Sequence, residues 1–166
     1  MAKRSGILIG TAGVYFVASQ LAACGFHAAG TFGNAPSVDI LAGLLDGSAN
    51  LSLQVKTSHW ALRTRGRGKS KTPHHYEWDV GQKSAMLQRP DLFFAFVDLK
   101  LQSGQLPDVF IIPSRLIFDY FSKPYFKSKP NIRWRYHPEI KSIEQYKNNW
   151  EILRGYLNKK ARHSTA

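Results

Sequence analysis

The sequence predicts an α/β protein in which a mixed central β-sheet is flanked by helices. Two largely apolar runs, residues 38–45 and 51–57, are joined by a short polar segment in which Gly47 and Asn50 accept the backbone angles of a hairpin turn. A third run, residues 92–99, is almost wholly apolar, as expected of a strand that is buried on both faces. Helical segments precede and follow these strands, and sheets covered by helices form layered α/β architectures.

The first predicted element is a helix over residues 11–24. Its apolar residues recur at the helical period, and Gly25 follows as a residue that tolerates the left-handed conformation of a helix end. Residues 26–32 predict a short strand, and residues 33–36 predict the turn that leads into the hairpin.

Beyond the hairpin, residues 60–79 have no regular hydrophobic period and predict a long basic loop. The other predicted elements are a helix at 80–88, strands at 109–112 and 132–136, helices at 116–121 and 143–157, and a frayed end at 159–166. We expect residues 1–166 to form a single domain, with residues 139–158 as a C-terminal helical extension.

The charge of the chain predicts a polyanionic partner. It has 23 Lys and Arg residues against 11 Asp and Glu residues, a formal net charge of +12, and DNA is the expected ligand. The sequence has no long basic amphipathic helix, so a membrane partner is not expected. It has no phosphate-binding glycine motif either, so a nucleotide cofactor is not expected. A single cysteine, Cys24, excludes an internal disulfide framework and predicts a cytoplasmic location.

An exported lipoprotein anchored at Cys24 is an alternative. Lys3 and Arg4 precede an apolar stretch, and residues 21–24 match a bacterial lipoprotein cleavage box. The helical period of that stretch favours an amphipathic helix instead, and cleavage at Cys24 would remove the helix needed to cover the sheet.

The hairpin carries the candidate site. Gln54 and Lys56 are two residues apart on one strand and therefore share a face, while Val55 points to the other face. Asp39, on the neighbouring strand, is expected on the face of Gln54 and Lys56, beneath the first helix. Carboxylate and amide oxygens are ligands for Mg²⁺, and an ammonium positions water or phosphate, so this set suits attack on a phosphodiester.

Asp39, followed by the sequence Gln54-Val55-Lys56 and preceded by a helix that ends near Gly25, resembles the PD-(D/E)XK nuclease superfamily over residues 11–112, as a variant with Gln in the acidic position before X-Lys. The resemblance implies a restriction-endonuclease-like fold and a Mg²⁺-dependent DNA endonuclease, with Mn²⁺ as an alternative metal. It implies Asp39, Gln54 and Lys56 as catalytic residues. It also implies that Asp39, Gln54 and the carbonyl of Val55 hold the metal.

The chain departs from this family on the first helix. Relatives carry a Glu there that helps to hold the metal, and Val14 stands at that position. Gln20, farther along the helix, and His59, directly after the strand, are candidate accessory residues. Because Asp39 is then the one expected carboxylate, a catalytically weakened DNA-binding protein of the same fold is a second alternative.

The predicted basic loop supplies the candidate contacts to the DNA backbone. Its five candidate phosphate-binding residues are Arg63, Arg65, Arg67, Lys69 and Lys71. Enzymes that cut both strands of a duplex often work as symmetric dimers, so a homodimer is a further expectation.

Overall fold

The computed structural model describes residues 5–31, 37–127 and 132–164. The strands are β1 His27–Gly30, β2 Ile40–Gly43, β3 Asn50–Ser58, β4 Leu62–Arg65, β5 Thr72–Tyr76, β6 Trp78–Asp79, β7 Leu92–Asp98, β8 Asp108–Pro113 and β9 Arg135–Tyr136. The helices are α1 Gly6–Ala23, α2 Gln82–Ala85, α3 Ser114–Phe121, α4 Pro124–Lys127, α5 Ile140–Ile143 and α6 Glu151–Ser164.

The main sheet has five strands in the order β1-β2-β3-β7-β8. β3 and β7 are parallel, whereas the other neighbouring pairs are antiparallel, so the sheet is mixed. Two further pairs, β4 with β5 and β6 with β9, form separate two-stranded sheets. The predicted fold class, a mixed central sheet flanked by helices, is therefore confirmed.

The strand β7 is buried along its whole length because helices cover both faces of the sheet. Phe93, Ala95 and Val97 pack into one apolar cluster with residues of α1 and α6. Phe94 and Phe96 point the other way and pack into a second cluster with residues of α3 and β6. The predicted apolar strand is confirmed, and its alternate residues contribute to two different cores.

The helix α1 lies unusually close to β3. A Cβ added at Gly13 would collide with the side chain of Thr57, so this approach requires glycine. Val17 and Leu21 of α1 are fully buried in the apolar cluster that includes Val55 of β3. Gly25, with a φ of 81°, follows the end of the helix as predicted. By length and composition alone α1 would also suffice to cross a membrane.

The prediction of a long basic loop at residues 60–79 was wrong. The segment folds back on itself, with β4 and β5 paired in antiparallel register and Leu62 opposite Tyr76. Most side chains of this hairpin are exposed, so no buried face imposes a hydrophobic alternation on the sequence. Tyr76 at its base is buried and stacks on Trp78, which attaches the hairpin to the second core.

The prediction of a single C-terminal helix at residues 143–157 was also wrong, because α5 is followed by one turn of 3-10 helix at Glu144–Tyr146 and a non-helical stretch at 147–150, and α6 begins at Glu151. Asn148 has a φ of 48°, its N–H donates to the carbonyl of Val109 at 2.6 Å, and its side-chain oxygen accepts the Val109 N–H at 2.9 Å. The chain therefore leaves the helical path to satisfy the backbone of the edge strand β8.

Two other elements are shorter than predicted, whereas α1 begins earlier, at Gly6. The helix expected at residues 80–88 is reduced to α2, and the strand expected at 132–136 is reduced to β9. The α6 helix continues through residue 164, into the stretch expected to fray. The turn predicted at residues 33–36 lies outside the described residues, as do Lys3 and Arg4.

Candidate functional site

The candidate site is built on β3, the middle strand of the sheet. Gln54 Nε2 donates to Ser84 Oγ at 3.0 Å, and Lys56 Nζ donates to the same oxygen at 3.1 Å. Ser84 belongs to α2 and is itself buried. The two β3 side chains therefore share one face, as their spacing predicts, and a single hydroxyl fixes both.

Burial shapes the chemistry of this pair. Burial lowers the pKa of Lys56, and the negative charge of Asp39 offsets part of that effect. Gln54 is only 7% exposed, and its Oε1 has no hydrogen-bond partner among the described residues. A buried acceptor without a partner is costly to fold, and it is an oxygen that a ligand could use.

Asp39 lies immediately before β2 and is tied to β3 at two points. Its backbone N–H donates to the carbonyl of Leu53 at 2.8 Å, and its Oδ2 accepts the N–H of Val55 at 2.7 Å. A carboxylate offers about four acceptor positions, so one hydrogen bond leaves capacity for a further ligand. The structure thus brings Asp39 to the backbone between Gln54 and Lys56.

The expectation that the first helix covers Gln54 and Lys56 was wrong. α1 packs on the opposite face of β3, where Val55 joins its cluster and Gly13 meets Thr57. This follows from the alternation of side chains, because the residues that meet α1 are the odd-numbered ones. Asp39 was expected on the face of Gln54 and Lys56, but its position does not support this, because it lines a hollow on the α1 side together with Val55.

A hollow of about 580 Å³ opens beside Asp39 on the α1 side. Gly10, Thr11, Val14 and Val55 contribute to its wall. Val14 thus lies in the wall beside the Asp39 carboxylate, at the position where the resemblance implied a glutamate, and it offers no oxygen ligand.

The two candidate accessory residues lie elsewhere. Gln20 lines a separate hollow together with Asp108 and Trp150, so its predicted role beside Asp39 is not supported by its position. His59 is exposed in the turn after β3, where its carbonyl accepts the N–H of Leu101 at 3.2 Å.

The donor set fits a hard divalent cation in type. It offers the carboxylate of Asp39, the unpaired amide oxygen of Gln54 and the backbone carbonyl of Val55, all oxygen donors of the kind Mg²⁺ prefers. Within residues 5–31, 37–127 and 132–164, no three His, Cys, Asp or Glu side chains gather in a group that could hold a metal. A cation here would therefore depend on neutral oxygens beside a single carboxylate.

The five candidate phosphate-binding residues of the β4–β5 hairpin fall into two groups. Arg65, Arg67, Lys69 and Lys71 are exposed around its tip. Arg63 is half-buried at its base, where it donates to the carbonyl of Trp60 at 2.9 Å and pairs with Glu77 at 3.2 Å. Arg63 thus fastens the hairpin, which corrects its grouping with the exposed cations of the tip.

Sequence reasoning missed two residues that organise these regions. Ser84 joins Gln54 to Lys56, and nothing in the sequence around a lone serine indicates this contact. Glu77 pairs with Arg63, Arg135 and His137 at 3.1 to 3.3 Å. The sequence does carry a signal for Glu77, because it is the first acidic residue after a strongly basic stretch.

Comparison with known proteins identifies a fold. No protein-family model matches the chain, and no curated protein sequence matches it significantly. The structure is similar to that of a bacterial homing endonuclease, I-Ssp6803I, with a TM-score of 0.57 and 16% sequence identity. The match covers 98% of this chain and 99% of that one, so the mixed α/β architecture is shared over essentially the whole chain.

Proposed function

We propose that the chain is a divalent-metal-dependent DNA endonuclease of the PD-(D/E)XK type, with Gln54 in the acidic position. The observation that carries the proposal is the buried polar pair on β3, in which Gln54 keeps an unpaired oxygen and Lys56 keeps an ammonium of lowered pKa. Burying a polar group without a partner is costly, and perturbed buried groups gather at functional sites. The similar fold of a bacterial homing endonuclease supports a nuclease role.

Asp39, Gln54 Oε1 and the Val55 carbonyl would hold the metal, Mg²⁺ or Mn²⁺. The ion would supply charge to the phosphodiester and lower the pKa of attacking water. The hydrogen bond from the Val55 N–H fixes the Asp39 carboxylate against β3, so the ligand is positioned before any cation binds.

Lys56 supplies the proton chemistry of the proposed reaction. Because burial lowers its pKa, a larger fraction of the Lys56 side chain is uncharged at a given pH, and so able to accept a proton, than for an exposed lysine. Ser84 Oγ accepts a hydrogen bond from its Nζ and fixes the amine relative to Gln54. In its charged form the same group would bind a phosphate oxygen.

DNA binding would rest on the exposed tip of the β4–β5 hairpin. Arg65, Arg67, Lys69 and Lys71 present four positive charges to solvent on a two-stranded ribbon. A ribbon of this kind has dimensions that fit the major groove of DNA, and each phosphate neutralised releases counterions. A homodimer would bring two sites to one duplex, and a cytoplasmic location accords with a single cysteine.

One observation favours the second candidate function, a catalytically weakened DNA-binding protein. Val14 lies in the wall of the hollow beside Asp39, so that hollow offers an apolar side chain in place of a second carboxylate. Metal affinity depends strongly on the number of charged ligands.

Cleavage assays on supercoiled and linear duplex DNA test the proposal. We expect nicking or cutting with Mg²⁺ or Mn²⁺, none with EDTA, and none by Asp39→Asn, which keeps the side-chain shape and removes the charge. Val14→Glu and Gln54→Glu each add a carboxylate and should lower the metal concentration needed for activity. DNA binding without cleavage by the wild type under all metals, together with cleavage by Val14→Glu, would establish the weakened protein instead.

A further inference from the structure

A second cavity lies far from the metal-ligand candidates in sequence, between α3, α4 and the segment that leads into β9. Its volume is about 460 Å³, within the range of small-ligand sites. Its lining includes Tyr120, Lys123, Tyr125, Phe126, Arg133 and His137.

Two rings of the lining, Tyr120 and Phe126, belong to a packed group of aromatic side chains. Phe126 lies 4.7 Å from Phe121 and 5.5 Å from Trp134, measured between ring centroids, and Tyr120 lies 4.9 Å from Tyr136. Such mutual packing holds the rings in place. Tyr125 is 54% exposed, so a large apolar ring is presented to solvent at the rim.

Two cations of the lining are available to a ligand. Lys123 and Arg133 form no ion pair with a described residue, and the Lys123 ammonium lies 4.9 Å from the centre of the Tyr120 ring. Arg135, in contrast, is committed to Glu77 and Asp79 at 3.1 and 2.9 Å. No acidic residue is among the described residues that line the cavity.

One residue of the cavity lining also contacts the base of the β4–β5 hairpin. His137 lines the cavity, pairs with Glu77 at 3.3 Å and lies 5.6 Å from the ring of His75 on β5. Glu77 also holds Arg63 of β4. A nucleic-acid strand held at the hairpin could therefore continue along this surface into the cavity.

We propose that this cavity binds one unpaired nucleotide of the nucleic-acid ligand, with its phosphate on Lys123 and Arg133 and its base stacked on Tyr125. The aromatic lining is the reason for assigning a base as well as a phosphate, because cations alone suffice for a backbone contact. A paired base keeps its faces stacked inside the duplex, so the cavity favours unpaired nucleotides. This inference rests on the DNA binding of the proposed function.

Fluorescence anisotropy with labelled DNA tests the assignment, in EDTA so that nothing is cut. The probes are a fully paired duplex and the same duplex with a central gap of unpaired nucleotides. We expect the wild type to bind the gapped probe more tightly. Tyr125→Leu should weaken gapped-probe binding about five- to hundredfold and leave the paired probe unchanged, while Tyr125→Phe keeps the wild-type affinity.

The cations are tested by Lys123→Gln/Arg133→Gln, which should weaken gapped-probe binding and reduce its salt slope by about one unit. The matched control is Lys159→Gln/Arg162→Gln, which removes the same charge from α6, on the other face of the sheet. Equal affinities of the wild type and the cavity variants for the gapped probe would overturn the proposal, as would an equal loss in the control.

Two further outcomes identify where a failure lies. A wild type that binds paired DNA but gains nothing from the gap overturns the cavity assignment and leaves the proposed function standing. A wild type that binds neither probe overturns both. Calorimetric binding of dAMP alone, lost in Tyr125→Leu without any change toward gapped DNA, assigns the cavity to a free nucleotide and overturns the strand assignment.

Discussion

The β3 pair and the tip of the β4–β5 hairpin use positive charge in opposite ways, although few residues separate them in the chain. Lys56 is partly buried, hydrogen-bonded to Ser84 and lowered in pKa by its burial. The four cations of the tip are exposed, and their pairs with phosphate would be screened by salt. Under the proposed function, a single positioned amine would serve catalysis, whereas several exposed charges would serve DNA binding.

The largest effect should come from Lys56→Ala. Loss of a positioned proton-transfer group should lower the cleavage rate about 10²- to 10⁴-fold, and DNA affinity should stay within about twofold because phosphate contacts reside at the hairpin. Rates and affinities are measured by single-turnover cleavage and by anisotropy. Lys83→Ala, an exposed lysine on the same short helix as Ser84, is the control and should behave as wild type. A parallel loss of affinity and rate in Lys56→Ala would erase the distinction between the two regions.

Replacing the four tip cations, Arg65, Arg67, Lys69 and Lys71, by Gln should affect binding in a different manner. The slope of log affinity against log salt should fall by about 3 to 4, since each phosphate contact contributes about 0.9. Affinity should fall similarly for all sequences, because phosphate contacts carry no sequence information. An unchanged salt slope would mean that the tip does not contact the backbone.

A smaller effect, on stability, is expected from the loss of the Glu77 ion pairs at the base of the β4–β5 hairpin. Glu77→Gln removes the charge that holds Arg63, Arg135 and His137 but keeps an amide oxygen that still accepts, so only part of the about 1.5–3 kcal/mol that a hydrogen bond to a charged group contributes is lost at each contact. Urea denaturation should therefore show a loss of about 1–3 kcal/mol in the free energy of unfolding. Glu151→Gln, which breaks an exposed pair with Arg154, should change it by less than about 0.5 kcal/mol. Equal effects would indicate that the hairpin is not held through Glu77.

The smallest effect concerns stability and pH. Because burial lowers the pKa of Lys56, the folded chain holds this proton less tightly than the unfolded chain. The contribution of Lys56 to stability therefore rises with pH between its lowered pKa and the ordinary lysine value, and is least favourable below that window. Lys56→Met should stabilise the protein at neutral pH and lose this advantage as pH increases. A stability difference that does not vary with pH would contradict the pKa shift.

The predictions from sequence succeeded where burial imposes a pattern. β7 and the hairpin of β2 and β3 carry apolar residues that the sheet buries, so their periodicity is visible in the chain. The β4–β5 hairpin lacks a buried face, so its sequence predicts a loop where the structure has two strands. The break before α6 depends on Asn148 meeting Val109, a contact 39 residues apart that no local pattern shows.

The candidate site, likewise, could be predicted from the sequence only in part. Gln54 and Lys56 share a face because strand geometry alone requires it. Tertiary packing decides the rest: which face α1 covers, the contact of Ser84 with Gln54, and the pairing of Arg63 with Glu77. Residue spacing along the sequence does not predict any of these three.

The most direct test of the division between chemistry and binding is single-turnover cleavage of duplex DNA in Mg²⁺ or Mn²⁺ as protein concentration is raised to saturation. We expect the variant lacking the four tip cations to need more protein and then to reach a rate within about threefold of wild type, because its β3 site is intact. Lys56→Ala should saturate at the wild-type concentration and stay slow. A tip variant that remains slow at saturation, or a Lys56→Ala protein restored by higher concentration, would contradict the account.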